Sequence, residues 1–428
     1  MALTVKQLNG DAAFLLSFEP LEGPSAAPWA TPEPFRILLD PWLEDSYSIN
    51  PKASFASHVQ VACVSSLQQL AQPDLVIITN ARSEHCNETT LRQLPPTGSK
   101  TLILAEPAAA KLIRSWKYFD EDMVRTLERW ETRTKNRDTV VRIPVPPQVC
   151  GGNEGEVTVS LIHQKRDLTG LHSAVGITYR PPPPHASIFR RQATTPPKSP
   201  TASISDLPPQ IPTPRLSLLQ TPDSPVSAML GAFTPPASPD FMKLRNVRSL
   251  ASIPPQARNR AVSLIYSPYG TSYNCMEPYV TSHLLAEAAL PLTTMLHPFD
   301  TVPHPWGLSG NIGAGITAGL ETARLSGVRS WISARDGKNV GGLAGKLVYR
   351  KKYPREEAEE VIRQALGQST PRSSAGYARG KKPGRPTETL ALSQGEEVTM
   401  TSEGVWEETE CPSPLQYADE KLKALLRT

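Results

Sequence analysis

The sequence predicts a layered α/β fold interrupted by one long insert, on three observations. Short apolar runs of strand length recur in both halves of the chain, some of them with no polar alternation at all. Helical segments follow several of these runs, and strands alternating with helices imply layers. Proline is concentrated, with 18 of the 44 in a chain of 428 residues falling within residues 181–260. That insert is too rich in Pro and too poor in apolar surface to order itself, so it is expected to be disordered.

Taken in order, Leu3–Leu8 and Ala12–Phe18 form two strands around Asn9-Gly10-Asp11, an Asn-Gly hairpin signal. Pro20–Pro34 is a loop, and Phe35–Leu39 is a strand stopped by Asp40-Pro41. Asp74–Thr79 is continuously apolar, as in a strand covered on both faces, and runs into the polar loop Asn80–Glu88. Thr101–Leu104 is another such strand. Glu106-Pro107 then opens a helix running through Trp116, with proline in the first turn. Val140–Val145, Glu156–His163, Ala174–Tyr179, Ala261–Tyr266, Leu292–His297 and Val328–Ser333 add strands. Ile312–Arg324 is a small-residue helix that must pack closely on a neighbour, and Glu356–Leu366 and Tyr417–Leu426 are amphipathic helices.

Five stretches follow. Residues 1–180 and 261–367 are two halves of one globular domain, split by the insert 181–260. A flexible basic loop covers 368–389, and a strand near Glu397–Met400 with a final helix fills 390–428.

Bulk properties exclude several classes. The formal net charge of +4 is too small to imply a nucleic-acid or membrane partner. No apolar run approaches the roughly 20 residues that a membrane span needs, and the first residues lack the apolar core of a secretion signal. The five cysteines show no C-x-x-C pair, which argues against a disulfide framework or zinc knuckle. A cytoplasmic or nuclear protein, not secreted, is expected. Arg379–Pro386 is similar to a minor-groove hook, but a single imperfect copy reads more simply as a solvated basic loop. Seven Ser-Pro or Thr-Pro steps in the insert (Thr195, Ser199, Thr213, Thr221, Ser224, Thr234, Ser238) offer sites to proline-directed kinases. No G-x-S-x-G, phosphate-loop or dinucleotide fingerprint occurs.

The loop after Asp74–Thr79 carries a resemblance. Thr79-Asn80-Ala81-Arg82-Ser83-Glu84-His85 resembles the T-H-x-H-x-D-H motif of metallo-β-lactamase-fold hydrolases. Leu8–Leu15 is similar to that superfamily's opening hairpin, Ile37–Pro41 to its I-L-I-D-P strand, and Gly170–Gly176 to the segment supplying a further histidine. The look is nearest the lactonase-like and N-acyl-phosphatidylethanolamine phospholipase D-like branch. The resemblance implies a four-layer αββα sandwich and one or two Zn²⁺ ions that turn bound water into hydroxide.

Carried over position by position, the resemblance implies an eroded site. Asn80 and Arg82 stand where two histidine ligands belong, Glu84 replaces the aspartate, and His85 and His172 are retained. No carboxylate stands in Ser267–Gly270, where a bridging aspartate is expected, and Arg335 occupies the region of the last histidine. Glu84, His85 and His172 are the candidate metal ligands, with Glu84 also a candidate proton acceptor and Asp40 an organiser of the loops. Arg82, with Arg335, is a candidate for the lost metal's charge role.

Tyr266, Tyr269 and Tyr273, with His297, Asp300 and Asp336, are candidates to line the pocket, or to be core aromatics and turn-capping groups. Three functions stay open: a metal-free relic kept for binding, a hydrolase of an ester, lactone or phosphodiester with a rearranged site and a small-molecule substrate, and an interaction protein regulated through the insert.

Overall fold

The computed structural model describes residues 1–19, 33–43, 62–131, 139–147, 153–164, 167, 170–182, 260–303, 311–336, 351–367 and 386–406. The chain divides into one unit of Met1–His185 with Arg248–Thr428 and a second of Ala186–Val247; all described residues belong to the first. The seven Ser-Pro and Thr-Pro steps, the hook-like basic segment apart from Pro386, the Tyr417–Leu426 helix, Cys150 and Cys411 lie outside the described residues.

Two mixed sheets form the centre. The first contains β1 (Ala2–Gln7), β2 (Phe14–Glu19), β3 (Phe35–Leu39), β4 (Leu75–Ile78), β5 (Leu102–Ala105), β6 (Val124–Thr126), β16 (Glu397–Thr401) and β17 (Gly404–Val405), in the order β17-β16-β1-β2-β3-β4-β5-β6. The second contains β7 (Val141–Val145), β8 (Gly155–His163), β9 (Ser173–Arg180), β10 (Val262–Tyr266), β11 (Thr294–Leu296), β14 (Ser330–Ile332) and β15 (Glu388–Leu390), in the order β15-β14-β11-β10-β9-β8-β7. Pairing is antiparallel from β1 to β3 and from β7 to β10, and parallel from β3 to β6 and from β10 through β11 and β14 to β15.

Alternation explains the layering. Leu3, Val5, Phe14, Leu16, Phe18 and Ile37 of the first sheet share one core with Val157, Val159, Ile177, Leu264 and Ile332 of the second. The opposite face of the first sheet, through Leu38, Val76, Ile78 and Ile103, packs on α1 (Glu88–Leu91) and α2 (Pro107–Ser115). The outer face of the second, through Ile265, Met295 and Trp331, packs on α3 (Tyr273–Tyr279), α4 (Gly315–Ser326) and α5 (Arg355–Gly367). β4 is buried along its whole length, as its unbroken apolar run requires.

Local chemistry sets the boundaries. Asn9 accepts the amides of Asp11 at 2.9 Å and Ala13 at 3.2 Å, and Gly10 takes a φ of 71°, which closes the β1–β2 hairpin. Glu106 caps α2 by accepting from Ala108 and Ala109, with Pro107 at the first helical position. α4 begins later than its small-residue pattern suggests, because Asn311–Ala314 first pairs as β13 with β12 (Thr301–Pro303). Those small residues have a use: a Cβ on Gly319 would lie 2.2 Å from Trp331 Cζ2. The stretch 368–389, expected to be loop throughout, ends in the first residues of β15, where Thr387 also bonds the Val328 carbonyl at 2.8 Å. Among the described residues no helix is long and apolar enough to cross a membrane.

Candidate functional site

The parallel strands β3 and β4 of one sheet and β10, β11 and β14 of the other all end at one edge, and their loops carry the candidate residues. Carboxyl ends of strands are where open α/β sheets gather ligand-binding groups.

Asp40 follows β3 with a φ of 40° and is completely buried. It accepts the Thr79 amide at 2.8 Å, the Thr79 hydroxyl at 2.6 Å, and His85 Nδ1 at 2.8 Å. The Tyr266 hydroxyl, at the end of β10, lies 2.8 Å from Asp40 and 2.8 Å from the Ala12 carbonyl, so it ties the two sheets together. Burial first, and then the neighbouring Asp40 charge, raise the Tyr266 phenol well above its ordinary range and keep it a donor.

His85 carries the connection onward. Its Nε2 meets the Tyr269 hydroxyl at 3.1 Å, and that hydroxyl donates to Glu84 at 3.1 Å. The phenol has one hydrogen for these two neighbours. When it donates to Glu84, its oxygen can accept from His85 only where the ring carries hydrogens on both nitrogens, since the Nδ1 hydrogen goes to Asp40. When it donates to His85, Glu84 is left to Arg335. Arg335 lies 3.7 Å from Glu84 and 3.9 Å from Asp11, with its guanidinium carbon 3.9 Å above the Tyr269 ring.

Electrostatics follow from this packing. Burial alone would raise Glu84, but His85, its own backbone, Arg335 and Arg82 together hold its carboxyl below the ordinary value. Burial opposes the charge on Arg335; Tyr269, Asp11 and Glu84 more than offset that, so the guanidinium is held firmly protonated. Tyr269 is raised by burial and stays a neutral phenol.

The other candidates are placed as follows. His172 donates from Nδ1 to the Gly270 carbonyl at 2.8 Å, and its amide donates to Asp167 at 2.7 Å. Asn80 closes its own turn by accepting the Arg82 amide at 3.0 Å, and its side chain reaches the Gly170 carbonyl of the His172 loop at 3.2 Å. Arg82 is exposed, whereas Arg335 is seated among the acids. Tyr273 begins α3 and packs in the outer core, away from this chain of bonds. His297 is completely buried against Trp331, donates from Nδ1 to the Pro298 carbonyl, and has no partner at Nε2 among the described residues. Burial pushes it down to about 4, so it is a neutral core imidazole.

Asp336 accepts the amides of Phe299 at 2.5 Å and Asp300 at 2.7 Å, and a bond from Ser333, while Asp300 accepts the Tyr353 amide at 3.0 Å. Both therefore pin loops. The residues that sequence reasoning passed over are Asp11 and Thr79. Each sits inside a motif already singled out, and that was the available signal.

Asp40, His85 and Tyr269 reproduce the connectivity of a carboxylate–imidazole–hydroxyl triad. The hydroxyl is not a usable nucleophile, because Tyr269 is 2% exposed and its phenol is raised by burial. Cys86, next to His85, is buried, and burial with the Asp40, Glu106 and Glu88 charges pushes its thiol up to about 12. Nε2 of His85 faces Tyr269, a guanidinium stands among the acids, and among the described residues no group of three or more His, Cys, Asp and Glu is placed to hold a metal ion.

No family model and no curated protein matches the chain. Among solved structures, it is similar to the isothiocyanate hydrolase from Delia radicum gut bacteria (TM-score 0.44, 13% identity, covering 93% of this chain and 99% of that one). It is also similar to Igni18, a metallo hydrolase from Ignicoccus hospitalis (0.40, 11%, 93% and 98%), and to the metallo-beta-lactamase fold protein YhfI from Bacillus subtilis (0.39, 8%, 93% and 99%). By its own layers, two facing mixed sheets with helices outside each, the described chain is an α/β protein with an αββα sandwich architecture.

Proposed function

We propose that this chain is a divergent metallo-β-lactamase-fold protein, of the lactonase-like and N-acyl-phosphatidylethanolamine phospholipase D-like branch, that works by binding and not by two-metal hydrolysis. The observation supporting this is the Tyr269 hydroxyl 3.1 Å from His85 Nε2, with Arg335 over the same ring. A ligating imidazole needs its nitrogen lone pair aimed at the ion, with its other nitrogen held by a carboxylate or carbonyl. His85 keeps the second half of that arrangement, and Tyr269 takes the first. In this reading Glu84 and Asp40 organise the site and do not act on a substrate. The insert is the regulated arm, with its Ser-Pro and Thr-Pro steps as kinase targets in the cytoplasm or nucleus.

The second reading is a hydrolase of an ester, lactone or phosphodiester with a rearranged site. His172 favours it, because its Nδ1–H is committed to Gly270 and its Nε2 is the nitrogen left with a lone pair. Titration of the purified protein with Zn²⁺ and Mn²⁺ in a calorimeter separates the two. The binding reading expects no saturable heat and no change of melting temperature with chelator. Tight one-to-one binding that disappears in the His85→Ala/His172→Ala variant would overturn it in favour of the hydrolase.

A further inference from the structure

Three carboxylates meet at the converging loops, and they are neutralised in two different ways. Asp40 is satisfied by donors: the Thr79 amide and hydroxyl, His85 and Tyr266. Asp11 and Glu84, with side chains 9% and 12% exposed, share the guanidinium of Arg335 at 3.9 and 3.7 Å. Removing one partner from such a buried set leaves an uncompensated charge.

The backbone is arranged for this contact. Arg335 has a φ of 62°, a left-handed conformation that a non-glycine residue adopts only at a cost. Its own amide donates to the Asp11 carbonyl at 3.3 Å, which fixes the turn on the hairpin loop. The side chain then lies on the Tyr269 ring, and the Tyr269 hydroxyl is the one that reaches His85 and Glu84. A planar, delocalised cation suits a ring face and two separated carboxylates better than a compact ammonium does.

We propose that Arg335 is a tethered resident cation: a positioning residue on the loop after β14 that gathers the β1–β2 hairpin loop and the loops after β4 and β10 by pairing Asp11 and Glu84 while stacking on Tyr269. It supplies from within the chain the positive charge that a divalent ion would otherwise bring. The idea rests on the metal-free reading above.

The test is a double-mutant cycle between Arg335 and Glu84, read by urea unfolding. Arg335→Gly removes the cation and also suits the left-handed φ, so backbone relief works against the expected loss. The folding constant should fall on the order of 100-fold or more. Glu84→Gln should lower it in the wild-type background, because it removes a partner from the guanidinium. In the Arg335→Gly background the same change should raise it, because it removes a stranded carboxylate. That reversal of sign is what a merely structural side chain would not produce.

Equal effects of Glu84→Gln in both backgrounds would overturn the proposal. If Arg335→Gly does not fold, Arg335→Gln, which is neutral but keeps an amide, takes its place in the cycle under the same criterion. Stoichiometric metal in the wild-type protein would overturn the metal-free reading whatever the cycle gives. An additive cycle in metal-free protein would overturn this proposal alone.

Discussion

The hydroxyl of Tyr269 and Nε2 of His85 face each other at 3.1 Å inside the protein. Asp40 holds the other nitrogen of the same ring at 2.8 Å. That contact links the loop after β4 to the loop after β10 without any further group.

Tyr269→Phe keeps the ring under Arg335 and deletes the hydroxyl. A buried imidazole nitrogen and Glu84 then each lose a partner, which costs about 1–3 kcal/mol for an unsatisfied buried polar group. Chemical denaturation checks this, and a variant as stable as the wild type would show that the contact contributes nothing.

Asp40→Ala strips four donors of one acceptor, namely the Thr79 amide and hydroxyl, His85 and Tyr266. A loss of roughly 3–5 kcal/mol is expected, as for breaking a buried charged pair. The result should be a sharply lowered melting temperature, and a small change would remove Asp40 as the organiser of these loops.

Two groups bend the pH profile in opposite directions. His297, pushed down to about 4, stays neutral in the fold while the unfolded chain takes up a proton below its ordinary 6.5. Its contribution therefore falls as pH drops from 6.5 towards 4. Asp336 is raised from 3.8 to about 7, by burial first and then by Asp300, so the fold holds a proton that the unfolded chain has lost. Its contribution falls as pH rises from 4 to 7. Asp336→Asn should accordingly make stability climb more steeply with pH over that window than it does in the wild type. Parallel curves for the two proteins would show that Asp336 does not titrate there.

Thiol labelling tests the rejection of a Cys–His pair. Cys63 is exposed, whereas Cys86 is buried with its thiol pushed up to about 12. Maleimide at neutral pH should modify Cys63 in the native protein and leave Cys86 unmodified, as read by peptide mass spectrometry. Fast modification of Cys86 would reopen a cysteine nucleophile.

Much of the layering was legible because apolar runs such as Leu75–Ile78 and Val262–Tyr266 are buried throughout, and buried parallel strands must read that way. The Asn9-Gly10 hairpin and the Pro107 helix start were legible because their turn and cap chemistry is local. α3 was missed: Pro278 lies inside it, and proline normally ends a helical reading. β12, β13 and β15 are three or four residues long and owe their existence to tertiary pairing, which no local pattern announces.

The motif frame singled out Asp40, Glu84, His85 and Arg335, which the fold brings together, but it carries no orientation for the two arginines. Arg82 lies in an exposed turn whose carbonyl accepts the amides of His85 and Cys86, while Arg335 turns inward through its left-handed backbone. The pairing of Tyr269 with His85 spans 184 residues and arises only when the two sheets meet.

Elemental analysis of protein purified without a metal-binding tag, beside the His85→Ala/His172→Ala variant, reads directly whether the converging loops hold a metal ion. Far less than one zinc, iron or manganese per chain is expected, and the same trace in both proteins. Near-stoichiometric metal in the wild type that is lost in the variant would contradict the metal-free reading.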